Sequence, residues 1–209
     1  MTTGRFLSLE GGEGAGKSTQ ARALAAALET HGIDAIVTRE PGGSEGAEAI
    51  RALLMHGDAT RWSARTEALL FAAARADHVE KVIRPALDAG RWVICDRYLD
   101  STRAYQGLAG GIDDEAIRAL HAFGSHGLLP DRTFLLAVPA AIGAARAAAR
   151  DGLAADRFAR RDPGFHAAVA AAFDAFAARE PARFTRIDAS LAPAAVTAAM
   201  LAALADLLP

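Results

Sequence analysis

Asparagine is absent from this 209-residue chain, lysine occurs only at Lys17 and Lys81, and cysteine only at Cys95. A lone cysteine forms no internal disulfide, which suits a reducing compartment. No run of about 18 apolar residues is present, the length that crossing a bilayer demands. The N-terminal stretch MTTGRFLSLEGG also lacks the apolar core of a signal peptide. No membrane partner is therefore expected, and a cytoplasmic location is. Excess charge is missing too: 23 basic against 25 acidic side chains leave a net charge of −2 and a pI near 6.3. That balance excludes the basic footprint of a nucleic-acid binder. The six histidines, at 31, 56, 78, 121, 126 and 166, fall at no metal-ligand spacing, so no zinc site is expected. The surplus of alanine and arginine reads as genome composition and lends no meaning by itself to stretches rich in either residue.

Arginine outnumbers lysine 21 to 2, so a bare demand for positive charge would have been met by arginine. Lys17 nevertheless stands in GGEGAGKST, residues Gly11, Gly12, Glu13, Gly14, Ala15, Gly16, Lys17, Ser18 and Thr19. The stretch fits G-x-x-x-x-G-K-[ST] and lies between an apolar run and a helical pattern, where a phosphate loop belongs. Its glycines let successive backbone N–H groups turn inward around phosphate oxygens, and the following helix adds its positive end. A lysine reaches β- and γ-phosphates as a compact charge, whereas the wider fork of arginine suits that nest less well. Ser18 would hold a magnesium ion and Thr19 would add a hydroxyl to a phosphate.

Short apolar runs alternate with longer helical patterns, which predicts βα units on a parallel sheet. Strands are predicted at Arg5–Leu9, Ala35–Thr38, Trp92–Cys95, Thr133–Val138 and Phe184–Ile187. Helices are predicted at Lys17–Thr30, Ser44–Met55, Ala64–Ala89 with a break near Pro85, Asp113–Phe123 and Ala140–Arg150. A glycine- and arginine-rich break follows at Asp151–Gly164. A last helix begins near Pro193 and carries Val196, Met200, Leu204 and Leu207 on one face. The length suits one domain spanning 1–209 with room for a small mobile insert. The fold class is a doubly wound α/β domain, binding ligands at the carboxyl ends of its strands.

Three kinds of phosphate-loop protein compete. A GTPase reads guanine with N-K-x-D, which a chain without asparagine does not contain. A partitioning ATPase needs a hydrophobic strand ending in Asp, and Val93-Ile94-Cys95-Asp96 supplies one. Arg97 follows at once, however, and points a bidentate anion receptor into the cleft. Hydrolysis does not need that receptor, but a phosphorylated acceptor does. Arg39 follows the second strand in TREPGG. Phe71 and Arg75, four residues apart, share a helix face that offers a ring to stack on a base and a donor fork beside it. DRYLDSTRAYQG then crowds Tyr98, Ser101, Thr102, Tyr105 and Gln106 just past a strand end.

Taken with TREPGGSEGAEAIRALL, RTEALLFAAAR and LLPDRTFLLAV, these stretches resemble the thymidylate kinase family over nearly the whole chain. The resemblance implies transfer of phosphate from ATP to dTMP with magnesium, a five-stranded parallel sheet, a lid near residues 145–166 and a homodimer. It implies that Phe71 stacks on thymine and Arg75 donates to its O4. Ser101, Thr102 and Gln106 would surround the base edge and sugar, and Tyr105 would lie beneath the deoxyribose. Arg97 would grip the acceptor phosphate, with Arg39 steadying phosphates or a magnesium-bound water nearby. Glu13 and Glu40 would touch the sugar 3′-hydroxyl or organise the magnesium shell, and Asp96 would hold the metal through water. The loop has no arginine of its own, so the transition-state charge is expected from the lid, from Arg157 first and Arg150 second. The chain departs from the family pattern at Ala137 and Ala159, where acidic residues are usual, which puts the tether of the lid in question. A kinase for another nucleoside monophosphate or a deoxynucleoside, and an ATP-driven switch acting on a protein partner, are the competing readings.

Overall fold

A computed structural model describes residues 4–58, 60–151 and 157–208, without the side chains of Arg150 and Asp151. Strand β1 (Phe6–Glu10) is buried at every position and leads through the glycine loop into helix α1 (Lys17–Glu29). Strand β2 (Ala35–Arg39) and helices α2 (Glu45–Met55) and α3 (Ala64–His78) follow. Helix α3 gives way to a π-helical turn at Val79–Ile83 and then to α4 (Arg84–Asp88). The predicted break near Pro85 is thus real but begins six residues earlier. Pro85 donates no hydrogen bond and crowds the preceding turn, so the helical ladder is disturbed before the proline itself.

Strand β3 (Trp92–Asp96) leads into a short helix α5 (Leu99–Thr102) and a second π-helical turn, Arg103–Leu108. Helix α6 (Asp114–Ser125), strand β4 (Arg132–Ala137) and helix α7 (Ala140–Asp151) come next. Helix α8 (Pro163–Arg179), strand β5 (Phe184–Asp188) and helix α9 (Pro193–Ala202) complete the chain. The five strands are parallel in the order β2-β3-β1-β4-β5. The predicted strands match within a residue at each end. Helix α8, in contrast, was not predicted. Asp162 caps it by accepting from the Phe165 amide at 3.0 Å, and Pro163 starts it. Its buried Val169, Ala172, Phe173 and Phe176 have helical spacing, but alanines on both sides of that stripe mask it.

Alternation along the strands sorts the core into two layers. Leu7 and Leu9 of β1, with Trp92 and Ile94 of β3, pack against α1 and α9. Phe6, Val93 and Cys95 point the other way, toward α3, α4 and α6. The loop after β1 therefore leaves toward one face of the sheet, while the segment after β3 runs over the other. A crevice opens between them at the carboxyl ends of the strands, the place where open α/β sheets bind ligands.

Candidate active site

Gly16 opens α1 with φ of 87°, a left-handed conformation that a side chain would strain. Lys17, at the first position of that helix, is nearly buried, and its ammonium donates to the carbonyls of Gly11 at 3.1 Å and Gly12 at 2.8 Å. Burial, aided by the Arg97 charge, lowers its pKa to about 8. Beside it the Ser18 hydroxyl donates to a carboxylate oxygen of Asp96. Two hard oxygen donors thus meet at the edge of the loop, as a magnesium shell requires. Helix α7 seats directly on this loop: a Cβ on Gly14 would lie 2.0 Å from the Gly143 carbonyl oxygen.

Arg97 joins the two halves of the crevice. Its backbone has φ of 67°, in the left-handed region that side chains avoid. Its guanidinium donates to the Gly11 carbonyl (3.2 Å), the Ser101 hydroxyl (3.1 Å), Glu13 Oε1 (2.6 Å) and the Tyr105 hydroxyl (3.3 Å). Burial opposes its charge, but Tyr105, Glu13, Asp96 and Glu10 outweigh that, and the pKa is raised.

Arg75 is buried on α3, where its Nε donates to Glu40 Oε2 at 2.7 Å and its Nη2 to the Thr102 hydroxyl at 2.8 Å. The other oxygen of Glu40 lies 3.2 Å from His78 Nδ1, and His78 Nε2 shares a hydrogen bond of 2.7 Å with Thr38. Gln106 is tied likewise, its amide donating to Glu67 Oε2 at 2.8 Å. One cleft of about 900 Å³ has the phosphate loop at one end and Phe71, Arg75, Thr102, Tyr105 and Gln106 at the other, with Glu67 and His78 behind its lining. Arg39 and Ser101 line it as well.

Several expected residues stand elsewhere. Gly11 and Gly12 present carbonyls to Lys17 and Arg97, and neither they nor Ala15 line the cleft. Both oxygens of Glu40 engage protein partners, so its first task is to hold Arg75 and face His78. Arg157 is fully buried away from the loop: it pairs with Glu67 Oε1 at 2.7 Å, donates to the Leu54 carbonyl and stacks on Phe158. Among the described side chains of α7, Arg146 reaches the cleft, and it also donates to the Ala189 carbonyl at 2.8 Å. The side chain of Arg150 lies outside the described residues.

A family model described as thymidylate kinase matches residues 9–200. The chain belongs to the thymidylate kinase family. The thymidylate kinase of Rhizorhabdus wittichii is 63% identical over 206 residues, covering 99% of both chains. That of Caulobacter vibrioides is 54% identical over 200 residues, 96% of this chain and 95% of the relative. The crystal structure of thymidylate kinase from Ehrlichia chaffeensis superposes with a TM-score of 0.80 at 31% identity, covering 97% of this chain and 99% of that one.

Four residues of this thymidylate kinase-family cleft, Arg22, Arg51, Met55 and Phe158, had no signal in the sequence. Each comes from an element whose pattern looked merely helical or arginine-rich. Glu10 and Glu67 escaped for another reason. They are buried carboxylates that work through neighbours, and spacing along the chain does not show who those neighbours are. The same holds for Glu40, His78 and Cys95, which folding brings within 4.8 Å of one another although nothing in their spacing suggests it.

Proposed function

We propose that this thymidylate kinase-family chain transfers the γ-phosphoryl group of ATP to dTMP, yielding dTDP for dTTP synthesis. One observation carries the reading: Arg97, directly after the β3 aspartate, turns its guanidinium back to the phosphate loop, while Phe71 and Arg75 face the same cleft. An anion receptor for the acceptor thus stands across the strand tips from the anion nest for the donor. Phosphoryl transfer asks for such alignment and for neutralised charge more than for covalent help. Lys17 and the loop amides take the donor phosphates, and Arg146 at the loop end supports the donor nucleotide. Phe71 supplies a stacking face and Arg75 a donor held rigid by Glu40, a pair suited to a pyrimidine. Tyr105 packs beneath the sugar.

The Ser18 hydroxyl and the Asp96 carboxylate fit magnesium and would hold it, and the ion would supply neutralisation of the phosphate charge. Arg157 is proposed for the transition-state charge on the family resemblance, a task that requires it to leave Glu67. Residues 145–166 are its carrier, within a single domain. We also assign a homodimer. The two most exposed large apolar side chains among the described residues, Phe123 (89%) and Leu69 (57%), sit on α6 and α3, and such exposure suits a partner surface. No helix among the described residues is long and apolar enough to cross a membrane, and a cytoplasmic setting fits the activity.

A coupled assay of purified protein with ATP, magnesium and dTMP, dUMP, dCMP or dGMP tests the reading. Magnesium-dependent formation of dTDP in preference to the other products is expected. A preference for dCMP or dGMP, or ATP hydrolysis indifferent to every acceptor, overturns it.

A further inference from the structure

Glu10 is the last residue of β1, adjoins the phosphate loop and is fully buried. Its strand neighbours Leu7 and Leu9 are apolar and equally buried, so packing alone asks for no carboxylate here. A charge taken from water is costly unless donors converge on it, and three do. Oε1 accepts from the amides of Tyr98 at 2.8 Å and Ser101 at 3.2 Å, and Oε2 accepts from the Ser101 hydroxyl at 2.6 Å. All three donors belong to the turn that follows Arg97.

That turn carries the strained point of the site. The left-handed backbone of Arg97, with φ of 67°, is strained for a residue with a side chain and persists only where its surroundings impose it. β1 imposes it from both sides. The Leu9 carbonyl accepts from the Arg97 amide at 3.0 Å, and Glu10 holds the Tyr98 amide one residue on. A relay continues into the side chain, because the Ser101 oxygen that donates to Glu10 also accepts from Arg97 Nη1 at 3.1 Å. Burial and the nearby Asp100 carboxylate push the pKa of Glu10 up to about 7, the mark of a carboxylate retained at a cost. A glutamine here would present one accepting oxygen and an NH₂ group. The NH₂ accepts nothing, so the Ser101 hydroxyl would lose its acceptor, and the charge-assisted bonds, about twice as strong as neutral ones, would be lost.

We infer that Glu10 is a positioning residue for phosphoryl transfer, fixing the Arg97 guanidinium toward the acceptor phosphate through the Tyr98 amide and the Ser101 hydroxyl. The inference rests on the proposed dTMP kinase activity. It assigns to the residue before the phosphate loop a task in the acceptor site, not the donor site.

A four-cornered comparison of the parent, Glu10→Gln, Arg97→Lys and the double variant tests it, reading KM for dTMP, KM for ATP and thermal stability. Glu10→Gln is expected to raise KM for dTMP about tenfold, equivalent to roughly 1.4 kcal/mol, while KM for ATP stays within about twofold. In the Arg97→Lys background the same change should matter by about twofold or less, because the group that it positions is gone. Ser101→Ala, which cuts only the hydroxyl relay, should couple to Arg97→Lys in the same sense and serves if Glu10→Gln fails to fold. The inference is overturned if the effects multiply independently, if both KM values rise together, or if Glu10→Gln leaves KM for dTMP unchanged. A parent protein that forms no dTDP overturns the activity itself, whereas an active parent without coupling overturns only the role of Glu10.

Discussion

The donor and acceptor ends of the cleft are built by opposite means. The donor end is backbone: nine consecutive residues, several of them glycines, with Lys17 curled over loop carbonyls. The acceptor end is side chain, gathered from α3, α5 and the π-helical turn after it. Its polar reading groups on three elements are gripped by buried carboxylates. Glu40 holds Arg75, Glu67 holds Gln106, and Glu10 holds the turn beside Arg97. A backbone cradle is rigid because its chain has nowhere else to go. A side-chain cradle becomes rigid only when partners cancel the freedom of long rotamers, which otherwise costs up to about 2 kcal/mol per side chain. The donor end should therefore fail when an atom is added, and the acceptor end when a charge is removed.

The most severe test lies on the lysine of the phosphate loop. Lys17→Ala should lower turnover by about a thousandfold, the loss of a preorganised electrostatic donor, while dTMP binding by calorimetry stays near the parent value. Equal loss of dTMP binding would mean that the two ends are not separate. The next largest effect falls on the acceptor end. Glu40→Ala leaves the Arg75 guanidinium buried, 2% exposed and without its counter-charge. Removing one partner of such a pair costs about 3–5 kcal/mol, to be read as a loss of that size in chemical denaturation together with weakened dTMP binding. Survival of Glu40→Ala with full stability and unchanged affinity for dTMP would refute the clamp.

Adding an atom is tested at Gly14, where φ is 69° and a Cβ would stand 2.0 Å from the Gly143 carbonyl oxygen. Gly14→Ala should push α7 off the loop, costing about 1–3 kcal/mol as overpacking does. It should raise KM for ATP and spare KM for dTMP. The reverse pattern would show that α7 serves the acceptor.

The same contrast explains what could be read in advance. GGEGAGKST announces a contiguous backbone structure, so a nine-residue window contained its function. The sheet was legible for a related reason: strands buried on both faces, such as Trp92–Cys95, leave continuous apolar runs. Helix α8 was hidden because the stripe Val169, Ala172, Phe173 and Phe176 lies among alanines that fit either face. Glu10 and Glu67 were hidden because a buried carboxylate is defined by donors from other elements, 39 to 94 positions away in the chain. Arg157 shows the limit most clearly. The family resemblance pointed it at the phosphates, yet in the folded chain it pairs with Glu67, on the acceptor side.

The smallest effect is expected where an acceptor-side arginine lacks a buried clamp. Arg39 lines the cleft, but its ion pair with Glu48, 2.8 Å long, leaves the two side chains 54% and 42% exposed. Water screens such a pair, and exposed ion pairs contribute about 0–1 kcal/mol. Arg39→Ala should therefore leave the unfolding midpoint almost unmoved. Any contribution to phosphate binding would appear separately, as a modest fall in kcat/KM for dTMP that deepens at low ionic strength, where the field of Arg39 is least screened. A stability loss matching that of Glu40→Ala would show that solvent exposure does not separate the two arginines. An unchanged kcat/KM at low salt would remove Arg39 from the acceptor site and leave its reading groups as those which a buried carboxylate holds.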